Sequence, residues 1–498
     1  MRNEKCRLAL FFLLLLVTVT ATAEDDICLR GCRRGVILPT ATRGFRVQEV
    51  QHQPGGDFYH GNRRQLVVLA AFRDQAFQGD QATTLAKWDK IFNAERYHEG
   101  SYAGSVHDYF YDQSYGQFNL IFDLVYVNLP DSLVKYHSTY FHDECSQYMV
   151  DDIVDTLMTL PIDWSQYDWN GDGYVNQMLI IYAGHGMNDS SGSNLIWPHQ
   201  WWMSEHLKDR QQGVYCDPVP VEHGDQTYLV DCYCALAELT QNNDYGSFGT
   251  LCHEYTHCFG FPDLYYGSTQ YVAGWDLMDY GNYNGGGYQP PGYSAHERWL
   301  MGWLTPVELK ENATITDMPA LADRGMAYLI RNDGFENEYY IVENRQQTSW
   351  DTSLPGRGIL VFHIDFDPAL WVSVMEYVNK RDGQHYVLFH ANNSSSYKGW
   401  SYPYQSNDSL TNTSKPAAVL NNANADGTKL MDKSIYDMKI DGGLASFRFD
   451  VPSATAIHEQ KADGEPKELY RLGPVRILRY PNGEIRKVMD QKLLNFDF

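Results

Sequence analysis

The apolar positions of this chain fall into two textures. Up to about residue 305, solid apolar runs alternate with longer segments of helical spacing. Gln65 to Phe72 (QLVVLAAF), Phe118 to Val127 and Gln177 to Tyr182 (QMLIIY) predict strands. Thr83 to Asn93, Ser105 to Ser114 and Cys145 to Leu160 predict helices. From about residue 306 the runs shorten. Ala327 to Ile330, Tyr339 to Val342 and Gly358 to Phe362 alternate with Asn, Asp and Gly turns, which predicts a β-rich region to residue 452. The Asn- and Ser-dense stretch Asn392 to Ser414 predicts loops, and a charged tail from 453 holds one strand-like run, Val475 to Arg479.

The N-terminus has a different pattern. Arg2, Lys5 and Arg7 precede the apolar run Leu8 to Val19, and Ala21-Thr22-Ala23 follows, the three-part layout of a cleavable export signal over residues 1–23. The run is shorter than the roughly 20 residues a bilayer span needs. Residues 24–64 are polar, rich in Arg and Gly, and read as a leader or short pro-segment. The expected order is therefore signal 1–23, leader 24–64, a first domain 65–305, a β-rich domain 306–452 and tail 453–498. The mature chain is expected to be exported and soluble, secreted or held at the cell surface or in the periplasm. Eight of the nine cysteines remain after the signal is removed, an even number that permits disulfides in that compartment. Free buried thiols are the alternative for Cys145 and Cys258.

Composition narrows the partners. A net charge of −24 argues against nucleic acid or anionic membrane as a main partner, since both are met by clustered Lys and Arg. Aromatic residues are abundant (14% of the chain), which suits a β-rich protein with broad binding surfaces. Protein or peptide substrates and a monomeric state are expected.

The chemistry concentrates between residues 252 and 283. Cys252-His253-Glu254-Tyr255-Thr256-His257 contains H-E-x-x-H. On a helix, residues four apart share a face, so His253 and His257 can turn toward one Zn²⁺, with Glu254 beside them as general base for a zinc-activated water. Two solvated histidines on a helix face are the bland alternative. Gly260 then lets the helix stop sharply and brings a third ligand back to the metal, as in the metzincin arrangement with His at the last position; here that position is Asp263, an oxygen ligand zinc also accepts. Three protein ligands leave one coordination position open, the mark of a catalytic site. Met278, in Gly274-Trp275-Asp276-Leu277-Met278, is placed as a methionine turn, and Tyr280 is positioned to assist at the metal or the oxyanion.

The chain resembles the secreted zinc metallopeptidases of the immune inhibitor A type, in the compact form found in Bacteroidetes. The resemblance rests on HEYTHCFGFPDLYY (His253 to Tyr266), GWDLMDYGNYNG (Gly274 to Gly285) and PPGYSAHERWLMGWL (Pro290 to Leu304). It extends to DYFYDQSYGQF (Asp108 to Phe118), DWNGDGYVNQMLIIYAGHG (Asp168 to Gly186), LIWPHQW (Leu195 to Trp201) and ENRQQTSWDTSLPGRGILVFHID (Glu343 to Asp365). It implies an α+β, metzincin-like catalytic domain and endopeptidase activity, with His253, His257 and Asp263 on zinc, Glu254 as base and Tyr280 assisting. The leader departs from the family's usual pro-segment, and the tail resembles C-terminal sorting modules only loosely.

Secondary sites are weaker. Asp168, Asn170 and Asp172 alternate before Gly173, the front half of a calcium loop, and Asn176 could complete it, although Leu179 stands where an EF-hand has Glu. Relatives carry the same loop, apparently for calcium. An Asx/Gly turn is the alternative. Cys234 and Cys252 are candidates for a disulfide tying the zinc helix to the preceding loop. Cys28 or Cys32 could cap the metal before activation, with an ordinary disulfide as the alternative. His199 could face the cleft or be a hydrogen-bonded loop histidine. Two rival functions stay open at this point: a silent surface binding or adhesion protein keeping the fold, and a zinc aminopeptidase.

Overall fold

The computed structural model describes residues 59–137, 145–188, 194–209, 214–371, 377–380 and 383–452, and the backbone of three strands further on. The export signal, most of the leader with Cys28 and Cys32, and much of the tail lie outside the described residues.

The first half is built on β1 (Gly61–Ala71), α1 (Gln81–Asn93), α2 (Val106–Gln113), β2 (Phe118–Asn128), α3 (Ser146–Leu157), β3 (Met178–His185), β4 (His199–Trp202), β5 (Cys232–Leu239) and α4 (Phe248–His257). Five strands form one sheet in the order β2-β1-β3-β5-β4. The first four are parallel, and β4 runs antiparallel at the edge. Strands covered on both faces read as continuous apolar runs, which is why Leu66 to Ala71 and Met178 to Ala183 are all buried. Each predicted element of this half is present within a few residues. Its ends are set by local chemistry: Asp80 caps α1 by accepting from the Thr83 N–H at 2.8 Å, and Ser105 and Asp108 cap α2 reciprocally. The first strand starts four residues earlier than expected, at Gly61, because polar Asn62 to Arg64 pair in register with Asn119 to Ile121. Pairing, not apolarity, sets that end.

A buried polar bridge joins sheet to helix. Gln65 on β1 bonds Gln177, and its Oε1 accepts from the Tyr255 hydroxyl of α4 at 2.9 Å. Aromatic edges pack around it, Phe110 against Tyr255 and Phe259.

After residue 306, β6 (Tyr328–Arg331), β7 (Glu338–Arg345), β8 (Gly358–Asp365) and β9 (Tyr386–Leu388) form an antiparallel sheet. A second sheet joins Ala313–Met318, Leu444–Asp450 and Ser434–Asp441. The first of these sheets reaches back to the loops around the candidate site. Glu343 on β7 accepts from the Ala295 N–H at 2.7 Å, and Asn379, which donates to the Tyr386 carbonyl of β9, also donates to the Leu264 carbonyl at 2.8 Å. Residues 59–449 pack as one unit. The tail forms a separate three-stranded antiparallel sheet, Lys467–Leu472, Val475–Arg479 and Ile485–Met489. Among the described residues no helix is long and apolar enough to cross a membrane.

The cysteines correct one expectation and decide an alternative. Cys234 and Cys252 are both buried free thiols, not a disulfide. The reason is helical geometry: Cys234 on β5 meets Cys258, whereas Cys252, six residues earlier on the helix, faces Tyr109 and Tyr293 on another side. Cys258 is free, while Cys145 is disulfide-bonded rather than a free thiol.

Candidate active site

Helix α4 begins at Ser247, whose hydroxyl accepts from the Thr250 N–H, and carries His253, Glu254 and His257 over its last two turns. The Gly260 N–H closes on the His257 carbonyl at 2.9 Å, and Gly260 adopts φ +91°, a conformation costly for any side-chain-bearing residue. The chain then reverses and returns Asp263 to the helix. Leu264 N–H bonds the Met278 carbonyl at 2.8 Å, joining this turn to the loop that contains Met278.

Three donors converge. Asp263 Oδ1 lies 3.2 Å from His253 Nε2 and 3.3 Å from His257 Nε2. Tetrahedral ligands at zinc bond lengths near 2.0–2.1 Å stand about 3.3 Å apart, so the spacing fits. The other ring nitrogens are already committed, His253 Nδ1 at 2.8 Å from the Leu277 carbonyl and His257 Nδ1 at 2.6 Å from the Phe261 carbonyl. Each Nδ1–H therefore donates to backbone, which turns Nε2 toward the shared point as a neutral ligand. Asp263 Oδ1 is buried and receives no ordinary hydrogen bond among the described residues. Burial by itself would push His253 down and Asp263 up. The attraction between the carboxylate and the two imidazoles outweighs it, holding Asp263 well below the usual carboxylate range and lifting His253 to about 9. The cluster attracts positive charge, and it is the one set of three or more His, Cys, Asp or Glu among the described residues that could hold a metal ion.

A cavity of about 370 Å³ opens beside these donors and is lined by His253 and Glu254. Glu254 is half-buried, and burial, ahead of the opposing charges of His253 and His257, pushes its carboxyl up. Tyr280 stands 48% exposed on the same cavity, its ring 4.9 Å from that of Tyr283. Met278 is buried, its N–H bonded to Asp276. His199 is on edge strand β4, bonded through Nδ1 to the Trp197 carbonyl and through Nε2 to the Tyr233 hydroxyl, the hydrogen-bonded alternative.

Residues 69–303 match the family model of the immune inhibitor A peptidase M6 catalytic domain. That segment belongs to the peptidase M6 family. Among curated proteins the chain has no match. The M6 assignment makes this a metallopeptidase domain, and the family implies a metal, typically zinc.

Several cleft residues of the M6 domain escaped the sequence reading. Tyr265, two residues past Asp263, lines the cavity, and its hydroxyl interacts with the Asp263 carboxylate. Asp279, between Met278 and Tyr280, is another. Its Oδ2 accepts three backbone N–H bonds, from Tyr271, Val272 and Ala273, each at 2.8 Å, which fixes the loop beneath the cleft.

One close approach locks the helix to that loop. A Cβ added at Gly249 would sit 1.9 Å from the Asn282 carbonyl oxygen. Gly249→Ala is therefore expected to cost about 2 kcal/mol or more of stability, despite Ala's better helix propensity. Urea denaturation measures it, and an unchanged midpoint would mean the loop yields freely.

Proposed function

We propose that this protein is an exported zinc endopeptidase that hydrolyses peptide bonds in proteins, its metal held by His253, His257 and Asp263. The observation that carries this reading is the convergence of two Nε2 atoms and one carboxylate oxygen at zinc-like spacing inside an M6 domain. The metzincin-like character of the fold is supported by the helix–Gly260–Asp263 reversal and the buried Met278 in the loop that bonds His253. The domain limits 65–305, 306–452 and 453–498 are part of the same proposal, and export rests on the N-terminal signal pattern.

When bound, zinc supplies Lewis-acid polarisation of the scissile carbonyl and makes water more acidic. Glu254, on the cavity wall beside His253, takes the proton from the attacking water and returns it to the leaving amine. Its burial favours that return, since a carboxyl raised above its ordinary range holds the proton until the amine departs. The Tyr280 hydroxyl donates to the oxyanion as it develops. His253 and His257 keep their orientation through their backbone bonds and move no proton. Metal analysis paired with casein cleavage tests the reading. About one zinc per chain with cleavage lost on chelation and regained on zinc addition is expected, and a protein that binds no zinc after reloading overturns it.

Calcium is proposed for the loop Asp168 to Asn176. Asp168 accepts from Gly171, Asp172 and Gly173 N–H groups, and Asn176 Oδ1 accepts from Trp169 N–H at 2.5 Å, so the loop already holds its oxygens in a tight turn. Bound calcium is expected to raise the melting temperature of zinc-loaded protein. No calcium in equilibrium dialysis, with melting unmoved by chelation at saturating zinc, removes this site.

A further inference from the structure

The wall of the cleft carries two buried acceptors with nothing to accept. Asp279 and Asn282 are 3% and 5% exposed, and both line the cavity. Asp279 commits Oδ2 to three backbone N–H groups, yet its Oδ1 has no hydrogen-bond donor among the described residues, and neither has Asn282 Oδ1. Leaving such atoms buried and unpaired costs roughly 1–3 kcal/mol each, more for a charged one, so their presence at a cleft points to a donor that arrives with the substrate.

The rest of the wall says which donor. The described lining residues include no Lys or Arg, and their carboxylates are Glu254 and Asp279. Around them stand the rings of Trp197, Tyr265, Tyr280 and Tyr283, faces that attract a cation. An apolar side chain would leave both acceptors unpaired. A neutral amide would satisfy them without using the charge or the ring faces. We propose that this cleft is a subsite for a basic side chain, Arg or Lys, next to the scissile bond, with Asp279 as its specificity-determining carboxylate. The proposal rests on the peptidase reading above. Burial, stronger than the three backbone bonds that oppose it, pushes Asp279 up to about 6, and an incoming cation would stabilise its ionised form.

The test uses the zinc-loaded mature protein and peptides identical except for Arg or its neutral isostere citrulline, placed on either side of one bond, with cut sites mapped by mass spectrometry. The Arg peptide is expected to be cleaved with roughly tenfold or higher kcat/KM, expressed mainly in KM. Asp279→Asn, which retains an oxygen for the three backbone bonds, is expected to bring the ratio near one. Asn282→Asp is expected to raise it. Efficient cleavage of both peptides at similar rates by the wild type overturns the subsite and leaves the peptidase reading standing. A ratio unchanged in Asp279→Asn overturns the role of that residue. Should that variant lose its zinc, the ratio in Asn282→Asp decides, a rise supporting the subsite and no change overturning it. No cleavage of any peptide or of casein overturns the peptidase reading, and this subsite with it.

Discussion

Replacing Glu254 with glutamine is expected to lower casein hydrolysis about a thousandfold or more while leaving zinc bound. The carboxylate is not one of the three converging donors, so its loss removes no ligand: those are His253, His257 and Asp263. Glutamine matches its shape, lines the same wall and can still accept a hydrogen bond, but it cannot take a proton. A positioned general base contributes roughly 10²- to 10⁴-fold, and here one group serves both the attack and the departure of the amine. The loss is expected in kcat rather than KM, because the group acts on the reacting water and not on the bound chain. Zinc per chain, measured on the same sample, separates two failures. Loss of metal in the variant would give Glu254 a role in holding the site. Near-normal turnover with zinc bound would assign the base elsewhere.

The residues His253, Glu254, His257 and Asp263 were legible in the sequence because their spacing is a local matter. A helix fixes i and i+4 on one face, and a glycine three residues on fixes the reversal. Three of the five strands of the sheet were legible for a similar reason, since strands buried on both faces read as apolar runs, whereas His199–Trp202 and Cys232–Leu239 were not. What stayed hidden depends on contacts between distant segments. Asp279 carries no motif of its own: its carboxylate is committed to three backbone bonds with residues six to eight positions earlier and leaves one buried oxygen without a donor among the described residues, which only the folded loop reveals. The expected Cys234–Cys252 bond failed because proximity in the chain order of elements does not say which side of a helix a thiol faces. The strand start at Gly61 was hidden because its first residues are polar and are held by pairing with β2.

The largest stability effect is expected from Arg345→Met. Arg345 is fully buried on β7, with Nε 2.7 Å from Asp351 Oδ2, Nη2 2.6 Å from Asp351 Oδ1 and Nη1 3.1 Å from Glu343. Nη2 also donates to the Gly292 carbonyl at 2.8 Å, and Asp351 and Glu343 accept from the Gly292 and Ala295 N–H groups. The guanidinium thus fastens residues 292–295, at the start of the helix Ala295–Leu300, to the sheet after residue 306. Methionine fills much of the volume but leaves two buried carboxylates uncompensated, and breaking a buried pair in this way costs about 3–5 kcal/mol. The sign with pH follows from the carboxylates. Burial already pushes Glu343 up, against the pull of Arg345. Without that cation the folded-state value of Glu343 rises further above its unfolded one. A raised carboxyl contributes stability in acid and loses it as pH climbs through the folded value, so the deficit is expected to be larger at pH 8 than at pH 5. Urea denaturation of wild type and variant at the two pH values reads it directly. An equal deficit at both would assign the loss to packing and hydrogen bonds rather than to stranded charge.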